Sequence, residues 1–214
     1  MSKVTLMVLV HEAGPVRSSR GGRPRDPSRD GVIRAAIMRL LADVGYGALT
    51  MDAVAAEAGV GKATIYRRWR TKQDLVADTI TELNGSTVTP ADTGSLENDL
   101  REVLYAIVDV INGPMGAATQ ALLSTVPHHP VLGEAFGDGP VGVWRRAFEQ
   151  VFARAEARGE LRPGLAGTMT AEAVMAPLVQ RWLITGHPVT QDYADQVLTD
   201  VALPLLRATC GPTA

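Results

Sequence analysis

Apolar residues recur every three or four positions along most of this chain, and alternating runs of β-branched residues are almost absent. Such spacing places apolar side chains on one face of a helix, so the pattern predicts an all-α fold. The first predicted helix has Asp26 as its N-cap and Pro27 at its first position, and Gly45 ends it. Its apolar stripe consists of Ile33, Ile37, Leu40, Leu41 and Val44.

Two short helices follow, with a tight turn between them. Thr50 is the predicted N-cap of "MDAVAAEAG", whose apolar residues share one face, and Gly59 ends this helix. The next helix is "KATIYRRW", in which Ile65 and Trp69 are spaced to point inward together. Its other side then carries mostly basic and small residues.

A further helix begins at Thr71, because Thr71 and Asp74 have capping-box spacing. The turn-rich stretch "NGSTVTPADTGS" (84–95) comes next, and we place a domain boundary there. Beyond it, "GDGP" (137–140) can interrupt one helix, and Pro177 should kink another. Five helical segments are expected after the boundary, over approximately 96–112, 115–125, 130–158, 171–186 and 191–208.

Charge is divided unevenly between the two parts of the chain. Residues 17–72 hold twelve Lys or Arg against five Asp or Glu, whereas residues 85–214 hold eight against fourteen. A basic segment joined to an acidic one favours a polyanion as the partner of the basic part alone. We expect residues 1–25 to form a disordered basic extension, whose arginines can enter a DNA minor groove or belong to a flexible tail.

Composition disfavours several classes of protein. Cys210 is the only cysteine, which excludes an intramolecular disulfide and favours a reducing cytoplasm. No apolar stretch approaches the roughly 18 residues of a membrane span. His128 and His129 would point about 100° apart on a helix, so they could not easily share a metal. No nucleophile and base stand out as a pair, and we expect no catalytic residue, no metal and no cofactor.

The stretch "GVGKATIYRRWRTK" (59–72) admits two interpretations. A phosphate-binding loop requires Gly, four residues and then Gly-Lys-Ser/Thr, but Ala56 holds the first glycine position and Ala63 follows Lys62. The pattern predicts no strand before it either. A helix-turn-helix fits better, because the second of two short helices has a basic outer face suited to a major groove.

Side chains on this second helix have the chemistry of DNA contacts. Arginine and lysine bind phosphates or guanine edges, Thr64 can bond to a phosphate or a base, and Ala63 can approach a thymine methyl group. Tyr66 can reach a phosphate with its hydroxyl. For Arg67 and Arg68 the alternative is a solvated basic face that contacts nothing.

The span "TMDAVAAEAGVGKATIYRRWRTKQDLVADTI" closely resembles the DNA-binding domain of the tetracycline-repressor (TetR) family of bacterial transcriptional regulators. Gly61 replaces the family's usual Ser or Thr, which removes a possible cap, and Arg70 replaces a common Pro. The matching positions are Gly59, Val60, Lys62, Thr64, Tyr66, Trp69, Lys72, Asp74 and Leu75. The resemblance implies phosphate contacts at Thr50, Tyr66 and Lys72, and candidate base contacts at Lys62, Ala63, Thr64, Arg67 and Arg68.

The segments "VPHHPVLGEAF", "ARGELRPGL" and "VMAPLVQRWLITGHPVTQDYADQVLTDVALPLL" are similar to the C-terminal part of one branch of this family. The resemblance implies a helical bundle that binds a small effector and pairs its last two helices with a second subunit. Apolar and aromatic residues at helical spacing are more often plain core. The candidate pocket residues are Tyr105, Met115, Leu122, Trp144, Phe148 and Trp182.

The last predicted helix carries a broad apolar stripe that has to be buried. A core within one chain is the alternative to a dimer interface. We expect a homodimer, because a helix-turn-helix usually reads two half-sites as a two-fold pair. The predicted interface residues are Tyr193, Val197, Leu198, Val201 and Leu205, with Ala194 and Leu206 beside them.

These features predict a helix-turn-helix DNA-binding domain over 26–84 and a larger helical effector-binding and dimerisation domain over 95–210. The protein should bind a pseudo-palindromic double-stranded DNA operator as a repressor and leave it when a small-molecule effector binds. Two alternatives are an all-α small-molecule-binding enzyme with an incidental basic face, and an architectural protein that coats DNA without sequence preference.

Overall fold

The computed structural model describes residues 27–83, 89–123 and 125–208, and within these ranges it consists of helices and connecting turns without a strand. The all-α prediction is confirmed. The extension over 1–25, the cap Asp26 and Cys210 lie outside the described residues. No helix in the described ranges has the length and apolar character needed to cross a bilayer.

Four helices form the N-terminal part: α1 (Pro27–Ala48), α2 (Met51–Glu57), α3 (Lys62–Tyr66) and α4 (Lys72–Leu83). Thr71 and Asp74 make the predicted capping box, with both backbone-to-side-chain distances at 3.1 Å. The α3 helix is shorter than predicted and ends at Tyr66.

The buried stripe of α1 departs from the prediction at its end. Ile33, Ile37 and Leu41 are fully buried, but Val44 is 51% exposed. Regular helix geometry stops at Gly45, whose φ of +72° suits a glycine. The buried residues after this kink are Tyr46 and Leu49, which fill that end of the core in place of Val44.

The helices after the linker match the predicted segments closely. Gly137–Val141 forms a π-helical interruption where "GDGP" stands, and α9 gives way to α10 just before Pro177. Further π-helical segments are Arg181–Thr185 and Leu198–Ala202, and Val126–His128 is a 3₁₀ turn. The helices are α5 (Leu96–Asn112), α6 (Pro114–Leu123), α7 (Pro130–Phe136), α8 (Gly142–Ala157), α9 (Met169–Ala173), α10 (Ala176–Gln180), α11 (Gln191–Val197) and α12 (Leu203–Ala208).

Two hydrophobic cores organise the molecule, and the division between them does not follow the linker. One core joins α5 to the helices from α8 to α12. The other joins α1–α4 to side chains from α6 and α7, because α6 packs on α1 and α7 packs on α4. The residues that α6 and α7 contribute to this core are Ala118, Leu122, Leu132, Ala135 and Phe136.

Candidate nucleic-acid interface

The turn between α2 and α3 is built by two glycines. Gly59 has a φ of +62°, and the Val60 amide donates to the Ala55 carbonyl at 3.0 Å, which closes the end of α2. Gly61 occupies the N-cap of α3 and offers no side chain, yet the helix begins directly after it. The loss of a capping hydroxyl at Gly61 therefore does not prevent α3 from forming.

The inner side of α3 is fixed to the core as predicted. Ile65 is fully buried and Trp69 is 8% exposed. The indole Nε1 of Trp69 donates to Asp78 Oδ2 on α4 at 3.1 Å, so the buried ring also has its polar atom satisfied. These two anchors determine which side of α3 faces outward.

The outer side of α3 presents four of the predicted DNA-contacting residues together. Lys62, Ala63, Tyr66 and Arg67 are exposed, and Thr64 is half-buried beside them. Positive and hydroxyl-bearing side chains on an exposed helix have the chemistry that binds phosphates and base edges in a major groove.

Asp52, in the first turn of α2, contacts two of these side chains. Its Oδ2 lies 2.6 Å from Lys62 Nζ, and its Oδ1 accepts a longer hydrogen bond of 3.4 Å from the Tyr66 hydroxyl. The hydrogen bond and charge of Asp52 raise the pKa of Lys62. Helical spacing within α2 does not reveal this contact, because the contact depends on how α2 and α3 pack.

Arg68 does not share the exposed face. Its guanidinium forms an ion pair with Asp30 of α1, and only 18% of its side chain is exposed. The same guanidinium lies 5.8 Å from the Trp69 ring centroid. Arg68 therefore joins α3 to α1, which corrects its prediction as a base-contacting residue for the arrangement seen here.

The predicted phosphate contacts Thr50 and Lys72 both have structural partners. Thr50 is exposed, and its Oγ1 accepts from the Ala53 amide at 3.1 Å as the N-cap of α2. Lys72 Nζ donates to the Tyr46 carbonyl at 2.7 Å and lies 4.3 Å from that tyrosine's ring centroid. Burial raises the pKa of Tyr46. Their phosphate contacts stay predictions.

His129 links the two parts of the chain at the start of α7. Its Nδ1 hydrogen-bonds to the side-chain amide of Gln73 on α4, and its ring centroid lies 5.5 Å from that of Tyr46. The sequence analysis considered His129 only as a metal ligand and missed both contacts. Nothing in the helical periodicity could have revealed a contact that spans so many residues.

Five of the six predicted pocket residues are divided between the two cores of the described ranges. Leu122 is buried in the core shared with α1–α4, and Met115 is half-buried on α6. Tyr105, Trp144 and Trp182 are partly buried against the other core. Tyr105 donates to Asp195 Oδ2 at 2.6 Å, and this bond together with burial raises the pKa of Tyr105 to about 12.

Phe148 is in the wall of a cavity of about 190 Å³ between α8 and the α9–α10 region. Its apolar neighbours in the wall include Phe152, Ala171 and Met175. The charged wall residues are Arg145, Glu149 and Glu172, of which the first two form an ion pair at 3.1 Å. This cavity can hold a small, largely apolar molecule.

The predicted dimer stripe divides between core and surface. Val197 and Leu198 are 3% and 0% exposed and pack in the chain's own core, because this part of the chain turns that side toward α5. For these two residues the intrachain alternative is correct. Tyr193 is half-buried, and the Arg181 guanidinium lies 4.2 Å from the centroid of the Tyr193 ring. Val201 is 37% exposed and Leu205 is half-buried.

Two family models match this chain over most of its length. Residues 33–79 match the model described as bacterial regulatory proteins, tetR family. Residues 90–201 match the tetracyclin repressor-like C-terminal domain. The first range contains the whole α2–turn–α3 unit, and the second contains the cavity wall.

Individual relatives agree with the family models. An HTH-type transcriptional regulator of Mycobacterium tuberculosis is 32% identical over 193 residues, covering 88% of this chain and 95% of the relative. The DNA-binding transcriptional repressor TetR of Mycobacteroides abscessus is 27% identical, covering 86% and 96%. Among solved structures, the flavonoid-responsive regulator FrrA has a TM-score of 0.65 at 22% identity, covering 86% of this chain and 97% of its own. The chain therefore belongs to the tetR family of bacterial regulatory proteins and is a DNA-binding transcriptional regulator of the helix-turn-helix type.

Proposed function

We propose that this regulator is a repressor that binds a pseudo-palindromic operator as a homodimer and is released by a small molecule. The observation that carries the proposal is the exposed face of α3, where Lys62, Ala63, Tyr66 and Arg67 stand together above the buried anchor Ile65. Two such helices in a two-fold dimer would enter successive major grooves about 34–36 Å apart.

The relatives support both parts of this proposal. The Mycobacteroides abscessus relative is named a DNA-binding transcriptional repressor. FrrA, which shares the fold, is named a flavonoid-responsive regulator. The name of FrrA indicates that a protein with this fold responds to a small molecule, which supports release of the present regulator by an effector.

Footprinting on the DNA that flanks the protein's own gene tests the operator. A short, two-fold symmetric protected site is expected. Uniform protection without a defined site would instead indicate an architectural protein that coats DNA. Protection of a single half-site would contradict the homodimer, for which Val201 and Leu205 keep apolar surface on the last helical segments.

The effector is proposed to bind in the cavity lined by Phe148, Phe152, Ala171 and Met175. Val141, a residue of the cavity wall, is the last residue of the π-helical segment that follows α7, and that segment contacts α4. An occupant that displaces Val141 would therefore disturb the helix that follows α3. This gives a physical connection between the cavity and the DNA-binding face.

A side chain that fills the cavity should leave operator binding intact and weaken the release of the operator by the effector. Ala171→Phe places a ring in the cavity space, so we expect wild-type operator affinity but at least tenfold weaker response to the effector. Ala176→Phe, on an exposed position of α10, is the matched control and should leave the response unchanged. Mobility-shift titration measures both. An unaltered response in Ala171→Phe would place the effector elsewhere.

A further inference from the structure

Asp52 places a negative charge among the side chains that face DNA in the proposed function. It lies in the first turn of α2, and 49% of its side chain is exposed. Its carboxylate holds Lys62 Nζ at 2.6 Å and the Tyr66 hydroxyl at 3.4 Å. One acidic group on α2 thus restrains two DNA-facing groups on α3.

The pairing changes what Lys62 can contribute to DNA binding. Affinity for DNA of any sequence comes mainly from cations that replace the counterions of phosphates. A lysine already neutralised by a carboxylate must give up that partner first, and the carboxylate left behind repels the phosphate backbone. Lys62 is 66% exposed, so the pair is weak enough to be exchanged for a better acceptor.

Arg67, the C-cap of α3, provides the contrast. It is exposed, and within the described ranges it has no ion-pair partner. Arg67 can therefore bind a phosphate of any DNA without losing a contact. The outer face of α3 combines one unrestrained cation with one that is restrained.

We propose that Asp52 is a specificity-determining residue. Lys62 and Tyr66 stay bonded to Asp52 on random-sequence DNA, and they exchange this bond only where an operator offers a better-placed acceptor. Asp52 acts by penalising the wrong DNA rather than by contacting the right one. This inference rests on the proposed operator binding.

The test is the isosteric variant Asp52→Asn, measured by fluorescence anisotropy on a random-sequence duplex of about 30 base pairs and on the footprinted operator. At about 100 mM salt, the variant should bind random DNA roughly three- to tenfold more tightly than the wild type. Its slope of log affinity against log salt on random DNA should steepen by about 0.9, which corresponds to one more phosphate contact. Operator affinity should rise less, so the specificity ratio falls.

Two controls separate this role from a general charge effect. Glu57→Gln removes the same charge from α2 but breaks an ion pair with Arg39 of α1, 2.9 Å long, and should leave the specificity ratio unchanged. In the double variant Asp52→Asn, Lys62→Gln, the gain on random DNA should disappear, because the effect acts through Lys62. Asp52→Glu should restore part of the specificity.

Several outcomes would overturn the inference. Equal gains on random and operator DNA, the same gains in Glu57→Gln, or a gain that persists without Lys62 would each remove the role of Asp52. Failure of the wild type to bind either duplex would instead refute the proposed function. The wild-type titration therefore distinguishes the two failures.

Discussion

At the scale of single residues, Arg67 and Arg68 are neighbours in sequence with different surroundings. Arg67 is exposed at the C-cap of α3, whereas Arg68 forms an ion pair with Asp30 of α1. A charge-assisted pair that is mostly covered is costly to break, because the remaining carboxylate stays in a site with little water.

Alanine substitution should therefore weaken operator binding at Arg67 and lower the stability of the fold at Arg68. Arg67→Ala is expected to weaken operator binding by roughly 1–3 kcal/mol with an unchanged urea midpoint. Arg68→Ala should lower the free energy of unfolding by about 2 kcal/mol. Urea denaturation and anisotropy on the same samples measure both. A stable Arg68→Ala protein with selectively impaired operator binding would restore Arg68 as a base-contacting residue.

Asp99 is a fully buried carboxylate in the first turn of α5. It accepts from the Thr93 amide at 2.7 Å, from the Thr93 hydroxyl at 2.6 Å and from Arg158 at 3.0 Å. Burial by itself would raise the pKa of Asp99, but these hydrogen bonds outweigh it and hold the pKa below its ordinary value of 3.8. The ionised form therefore stabilises the fold.

Asp99→Asn should lower the free energy of unfolding by about 2 kcal/mol at neutral pH. Since the pKa is lower in the folded state, the wild-type advantage is complete above the ordinary pKa and is lost as pH falls through the lowered value. Urea denaturation from pH 7 down to about pH 3 should show this convergence. Asp109→Asn, exposed on the same helix, is the control. A gap that stays constant into acid would contradict the ionised role.

Residue-level sequence reasoning succeeded where the cause is local. Thr50, Ile65 and Trp69 have roles set by capping and helical spacing, and the structure gives them those roles. Arg68 and His129 have partners on α1 and α4 that are distant in sequence. No single-helix pattern contains that information, so these contacts needed the packed structure.

At the scale of elements, the corner between α5 and α6 leaves no space for a side chain at Gly116. A Cβ added at Gly116 would lie 1.9 Å from the Ile111 carbonyl oxygen of α5. Backbone at this distance cannot move aside without shifting a helix. The α6 helix carries Ala118 and Leu122 into the core of the DNA-binding part, so a shift would reach that core.

Gly116→Ala should destabilise the protein by about 2–3 kcal/mol and reduce operator affinity. Gly133→Ala is a matched control within α7, because its added Cβ would have an ordinary 3.8 Å contact with Val126. That control should be neutral or slightly stabilising, since alanine favours a helix over glycine. Thermal denaturation distinguishes the two. Equal stability of both variants would show that the corner has room to relax.

Helix boundaries were predictable where glycine and proline interrupt the pattern. The interruptions at "GDGP" and before Pro177 follow from those residues. The early end of α3 and the exposure of Val44 do not, because both depend on which neighbouring helices cover that part of the chain.

At the scale of the whole molecule, His129 joins the part of the chain that contains the cavity to the helix-turn-helix part. It contacts Gln73 and Tyr46 from the start of α7, the helix that leads into the cavity wall. Lys72, a predicted phosphate contact, lies against the same Tyr46. A movement of α7 would therefore reach α4 and the end of α1 together.

His129→Ala should weaken the communication between the two sites while leaving each site able to bind. With an effector found by thermal-shift screening, the effector-induced loss of operator affinity should shrink by about fivefold, or 1 kcal/mol. His128→Ala, one residue earlier and exposed, is the control. Anisotropy with and without effector measures the loss. An undiminished response would mean that α6 or another contact carries the signal.

The core shared by α1–α4, α6 and α7 also limits how this regulator can be re-engineered. A chimera that exchanges residues up to the linker for those of another family member would separate the core side chains of α1–α4 from Leu122 and Leu132, which α6 and α7 contribute to the same core. To redirect such a protein to a new operator, the transplanted segment would have to include α6 and α7, or the recipient side chains would have to be redesigned to fit.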